Sequence, residues 1–345
     1  MTKTYNFMGR VSLWLLATAS VVMCLTLLRK ERVSISSVPS QFSNPIRFDN
    51  GEGCYQRVSA LVDYSGGQRS FFLPMCNQSY TIPTIFEDFS AHQVEWNIMG
   101  KTKAFWSVFV HVPQDDKLIT ESMKETFYSR GMELVQQASR ETEGQFPGWE
   151  LKGDVLDFGC GIGRLGIAFA QLDSIDSVTC VDQSVHHLKK MKLFTESMPR
   201  KAQLFSVISG PDMLSALHQN AEAPKCFDFV HSLISLQHMI TPLQAIYLEQ
   251  LCDVLKPAGV MRIQIPSHTP ATPACDDVTR SRYRDSGGMQ MHYIEPESVR
   301  LILGHRGCDA KIQDVGPEHV GKGHNSIIVH AKKREQVICS CLSQP

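Results

Sequence analysis

Two carboxylates, three glycines and a histidine hold most of the chemistry legible in this sequence. Asp157 closes a short apolar run, and the chain then reads Phe158-Gly159-Cys160-Gly161-Ile162-Gly163-Arg164-Leu165-Gly166. Glycines at 159, 161 and 163 let the backbone turn tightly and approach a ligand, and a helix opening behind them offers its N-terminal amides to an anion. Gly161 to Gly166 also spells GxGxxG, and Asp182 follows about twenty residues on, so a nicotinamide dinucleotide site has to be weighed. Against it stands Asp157, because a pyrophosphate in the same partly desolvated crevice would meet a like charge. A ligand with an ammonium group and a single carboxylate would not. Farther along, Leu236-Gln237-His238 supplies an imidazole. Such a ring titrates near neutrality and can take a proton from a hydroxyl or amine; the alternative is a structural histidine bonded to nearby backbone.

These residues need elements to place them. From Leu151 onward, apolar runs alternate with helical stretches: Val155 to Asp157, Ser177 to Val181, Leu204 to Ile208, Phe227 to His231, Val260 to Ile265, Lys311 to Val315 and Ser326 to His330. Seven strands with intervening helices predict a doubly wound, mainly parallel α/β sheet, which binds ligands at the carboxyl ends of its strands. The glycine turn falls there.

The run from Val155 to Gly163 resembles motif I, hhDxGxGxG, of the class I S-adenosylmethionine-dependent methyltransferases. The resemblance covers roughly Trp96 to Lys332 and implies a Rossmann-like methyltransferase fold with an N-terminal helical cap. It implies S-adenosylmethionine, a sulfonium with one ammonium and one carboxylate, held by Asp157, Gly159, Gly161 and Gly163. Asp182, with Gln183 beside it, matches the acidic residue that receives both ribose hydroxyls. Asp212 and Met213 stand where the family holds the adenine, and Ser232 and Leu233 lie in a stretch resembling motif IV. Leu255 to Gly259 resembles the turn before strand five, and Tyr293 to Gly307 reads as a helix before a reversed final hairpin.

In the cap, Trp96 to Gly100, Phe105-Trp106 and Phe127 to Gly131 resemble the small-molecule members of the family. Tyr128 is the candidate for the methionine part of the cofactor. Trp106 or Phe105 is a candidate face for the sulfonium; the alternative is that these aromatics pack cap against sheet. Ser122 to Glu125 reads as a capping box opening a helix that runs to about Ser139. Ser267 to Gln290 is long for a loop, as lids are, and bears Arg280, Arg282, Tyr283 and Arg284. Arg282, with Gln237 and Tyr293, is a substrate candidate, since an inward guanidinium would clamp a carboxylate; a solvated cationic loop is the alternative. His238 borders the transferred methyl and is the candidate base. No metal is implied.

The remaining length is additions to one catalytic domain. The chain has 345 residues, 34 Lys+Arg against 35 Asp+Glu, and a net charge of -1, which argues for a small-molecule acceptor over nucleic acid. Val11 to Leu28 carries no charge between Arg10 and Arg29, and as a helix it would span about 27 Å. It reads as a membrane anchor (residues 1–32), or else as a targeting segment removed later; the flanking cations leave orientation open. A linker (33–50), an N-terminal region with the cap (51–150), the methyltransferase domain (151–333) and a tail (334–345) follow. Asn77-Gln78-Ser79 is a formal glycosylation sequon, and Cys54 and Cys76 would be free to pair in a lumen. The 11 cysteines show no disulfide or zinc pattern, and Cys160 and Cys180 read as packing thiols. Cys339 and Cys341 sit on an expected exposed tail. A reducing compartment, cytosolic or organellar, is therefore expected. The function expected is a methyltransferase of class EC 2.1.1 acting on O, N or S of a small molecule. A nicotinamide-linked oxidoreductase and a non-catalytic methyltransferase-like binder are the alternatives.

Overall fold

The computed structural model describes residues 70–73, 78–196, 198–267, 291–317, 325–337 and 339. The segment Val11 to Leu28, the linker, Asn77, Cys54, Cys76, Arg282 and its neighbours in 268–290, and Cys341 lie outside them. Among the described residues no helix is long and apolar enough to cross a membrane.

A hairpin of β1 (Ser70–Leu73) and β2 (Gln78–Thr81) precedes the cap helices α1 (Ile82–Thr102), α2 (Ala104–Val108) and α3 (Glu121–Gln145). The wound part follows as β3 (Gly153–Phe158), α4 (Arg164–Ala170), β4 (Ile175–Asp182), α5 (Val185–Thr195), β5 (Gln203–Ile208) and α6 (Met213–Gln219). It continues with β6 (Phe227–Ser232), α7 (Thr241–Asp253), β7 (Leu255–Ser267), α8 (Pro296–His305), β8 (Cys308–Gly316) and β9 (Asn325–Lys333). Seven strands form one sheet in the order β5-β4-β3-β6-β7-β9-β8, parallel except that β9 runs against both neighbours. This is the expected doubly wound class, with the expected reversed hairpin at one edge. Winding reverses between β3 and β6, and sheets of this class bind ligands at the carboxyl ends of the strands at that point.

Several local expectations shift. Helix α1 opens at Ile82, well before the aromatic cluster around Trp96. Thr120, not Ser122, caps α3: its hydroxyl accepts the Met123 amide at 3.3 Å, and Ser122 already lies in the first turn. The helix continues past Ser139 because Phe127, Gly131, Val135, Ala138 and Thr142 keep one buried face going. Leu255 to Gly259 is taken into β7, where Ala258 has φ 61° and the pairing with β6 shifts register between Phe227 and Phe229.

The cysteine reading needs the largest correction. Cys226 is bonded to Cys339, and Cys252 to Cys308. Cys339, expected on an exposed tail, is thus tied to the residue that precedes β6 and is fully buried. Cys160 and Cys180 are free and buried, as packing thiols would be.

Candidate cofactor and methyl-transfer site

The turn between β3 and α4 is built on backbone angles that L side chains avoid. Gly159 and Gly161 have φ of 72° and 56°. A Cβ on Gly159 would stand 2.1 Å from Ser235 Oγ, and one on Gly161 2.7 Å from Val108 Cγ2. Gly163, at φ 82°, is the N-cap of α4. Asp182, at the end of β4, grips the same turn: Oδ2 accepts the Gly161 amide at 2.9 Å and Oδ1 the Ser184 amide at 2.7 Å. Burial lifts its pKa to about 6, and those backbone bonds pull the other way. A carboxylate has about four lone-pair sites, so the two oxygens can still receive a diol.

Around this turn several buried polar atoms lack a hydrogen-bond partner: Asp157 Oδ2, Gln183 Oε1, Ser232 Oγ, Gln237 Oε1 and Arg164 Nε. Three are pure acceptors, one is a hydroxyl, and one is a guanidinium donor. That inventory suits a ligand with hydroxyls, an ammonium group and a single carboxylate. Arg164 is 7 % exposed and stacked on Phe127 and Phe109, its Cζ 5.3 and 5.7 Å from their ring centroids. Burial pushes its pKa down to about 10 against the opposing pull of Asp157.

On the acceptor side, Trp96 of α1 crosses to the loop after β6. Its ring lies 5.1 Å from that of His238 and 5.9 Å from that of His187, and its indole donates to His92 Nε2 at 2.7 Å. His92 in turn meets the Gln183 amide at 3.2 Å; burial, with His238 and His292 adding repulsion, brings its pKa to about 3. Gln237 and His238 are buried, and the Gln237 carbonyl accepts the His292 amide at 2.8 Å. Ile234 holds a left-handed φ of 60°, costly for a β-branched residue, with its amide on Gln264 Oε1 at 2.9 Å.

Other expected site residues fall as follows. Tyr128 donates to the Ile162 carbonyl at 3.1 Å beside the glycine turn, and burial raises its pKa. Asp212 caps α6, accepting from Ser215 N at 3.0 Å and Oγ at 2.6 Å. Met213 is fully buried in the main core with its amide donating to Gln250, so its side chain packs the sheet. Leu233 packs beside the second core cluster, and Tyr293 is buried, its carbonyl accepting from Thr241. Phe105 is buried against Phe127 and Phe194, the packing role that stood as the alternative. Trp106 has Lys103 Nζ 5.7 Å from its ring centroid. Trp96 is the cap aromatic that reaches His238. The sequence alone assigns no role to Arg164, Trp96 or His92. The i, i+4 spacing of His92 and Trp96 was an available signal.

Residues 151–295 match the family model of a methyltransferase domain. No curated protein matches the chain. Similar solved structures include magnesium protoporphyrin IX methyltransferase from Synechocystis PCC 6803 with bound SAH, at 15% identity and TM-score 0.46 over 70% of this chain and 99% of that one. An S-adenosylmethionine-dependent methyltransferase from Clostridium acetobutylicum ATCC 824 aligns at 14% identity and TM-score 0.42, over 67% and 96%. Phosphoethanolamine N-methyltransferase 2 of Haemonchus contortus, in complex with S-adenosyl-L-methionine, aligns at 15% and 0.43, over 57% and 52%. The sheet is Rossmann-like, and the match of residues 151–295 to a methyltransferase domain implies S-adenosylmethionine as the cofactor. The antiparallel β9 between β7 and β8 departs from the 3-2-1-4-5-6 order of dinucleotide-binding sheets.

Proposed function

We propose that this protein transfers a methyl group from S-adenosylmethionine to O, N or S of a small molecule. The observation that carries the reading is the set of partnerless buried atoms around the glycine turn, acceptors at Asp157, Gln183 and Ser232 and a donor at Arg164, within the matched domain. When bound, the cofactor supplies an electrophilic methyl on a sulfonium. Asp182 and Gln183 receive the ribose hydroxyls, and Asp157 and Arg164 bracket the amino-acid end. Trp96, Gln237 and His238 align the acceptor and exclude water, which is much of the work in an in-line displacement. His238 takes the proton where the acceptor must lose one. Incubation of the purified full chain with methyl-labelled S-adenosylmethionine and a metabolite extract tests this. Label in a small-molecule product is expected; no labelled product despite tight cofactor binding would leave a binder without turnover.

For localisation, the two disulfides favour an oxidising compartment over the reducing one expected from sequence. We propose that the domain works in a lumenal or extracellular space.

A further inference from the structure

Asp157, His231, Arg262 and His330 are successive register partners across β3, β6, β7 and β9. Register partners project to the same face of a sheet, so four polar side chains stand in one row. Asp157, His231 and Arg262 are each no more than 3 % exposed. From α3, Glu141 Oε2 accepts Arg262 Nη2 at 2.6 Å and Nε at 2.9 Å. Arg262 Nη1 faces His231 Nε2 at 3.4 Å, and His231 Nδ1 stands 3.6 Å from Asp157 Oδ1.

The order of donors along this row is fixed by chemistry. A guanidinium only donates, so His231 Nε2 must present its lone pair. Burial keeps the imidazole neutral, and its one proton then sits on Nδ1, toward Asp157. Behind Asp157 Oδ1 the His231 ring stands beyond hydrogen-bond length, and both His231 Nδ1 and Asp157 Oδ2 lack a hydrogen-bond partner. Apolar side chains would fill this part of the sheet at no loss of stability, since replacing buried ionic groups by packed hydrophobes is often neutral or stabilising. The row is therefore better explained by the carboxylate it aims.

We propose that His231 and Arg262, anchored by Glu141, are positioning residues acting through Asp157, holding its carboxylate so that Oδ2 meets the ammonium group of the cofactor's amino-acid end. The inference rests on the methyltransferase reading. Its test compares three probes by calorimetry on the full chain. S-adenosylhomocysteine has ammonium and carboxylate, decarboxylated S-adenosylmethionine keeps the ammonium alone, and 5′-methylthioadenosine has neither. His231→Leu is expected to weaken the first two about tenfold, one charge-assisted hydrogen bond's worth, and to leave the third unchanged. His231→Asn, whose amide nitrogen takes the place of Nδ1, is expected to recover most of the loss. Should His231→Leu fail to fold by circular dichroism, Arg262→Lys serves, because lysine lacks the fork that holds Glu141 and His231 together. Equal weakening of all three probes, or none, would overturn the proposal while leaving the methyltransferase reading intact. A wild-type chain that binds none of them removes that reading, and the proposal with it.

Discussion

The indole of Trp96 lies against the imidazole of His238, ring centroids 5.1 Å apart, and so joins the cap helix α1 to the loop after β6. The contact ties the candidate base to the element that covers it. Trp96→Ala is expected to raise the KM of the acceptor and lower kcat, because the base loses the wall that orients it. His238→Ala should lower kcat by about 10²- to 10⁴-fold where the acceptor is a hydroxyl or protonated amine, with cofactor affinity unchanged. Full activity of His238→Ala would identify an acceptor, such as a thioether, that needs no base.

Cofactor affinity should depend on pH through Asp182. Its carboxyl titrates at about 6 when buried and free, and two ribose hydroxyls donate better to the ionised form. Binding therefore favours loss of the proton. S-adenosylhomocysteine affinity is expected to be flat above pH 7 and to fall by up to about tenfold per pH unit below 6. Calorimetry from pH 5 to 8 checks this, and Asp182→Asn should flatten as well as weaken the profile.

Arg164 is buried with its Nε lacking a partner, so its loss should be felt at the carboxylate of the cofactor. Arg164→Met is expected to weaken S-adenosylhomocysteine about tenfold or more and to spare decarboxylated S-adenosylmethionine. The same substitution should change the melting temperature little, because the loss of the contacts with Phe127 and Phe109 is offset by removal of a desolvated charge.

Gly161→Ala is expected to destabilise the apo protein by about 1 to 2 kcal/mol from the left-handed backbone alone, plus the clash with Val108. Adding Val108→Ala should recover the clash and not the backbone strain. A partial rescue in thermal melts separates the two contributions.

The disulfides make a prediction about handling. Peptide mapping without reduction should recover Cys226 linked to Cys339 and Cys252 to Cys308, and reduction should cost about 2 to 5 kcal/mol of stability. Free thiols at all four positions would return the domain to a reducing compartment.

What the sequence made legible follows from local physics. The sheet could be read because the central parallel strands are mostly apolar and turn residues punctuate them. The glycine turn could be read because a positive φ at 159, 161 and 163 all but demands glycine. What could not be read depends on register and distance. The row from Asp157 to His330 exists through pairings across four strands, and none of its members is near another in sequence. Cys226 and Cys339 are separated by 113 residues, with no spacing rule to join them. Met213 follows the expected adenine position, yet the start of α6 turns it into the core. Trp96 and Trp106 are both cap tryptophans, but they lie on separate helices, α1 and α2, and it is the α1 residue that reaches His238.

The central claim is that the carboxyl ends of β3, β4 and β6 take S-adenosylmethionine. Titration of the purified full chain with S-adenosylhomocysteine, and separately with NAD, tests it directly. Saturable binding of S-adenosylhomocysteine that Asp182→Ala abolishes, with no heat from NAD, is expected. Binding of NAD without S-adenosylhomocysteine would contradict it.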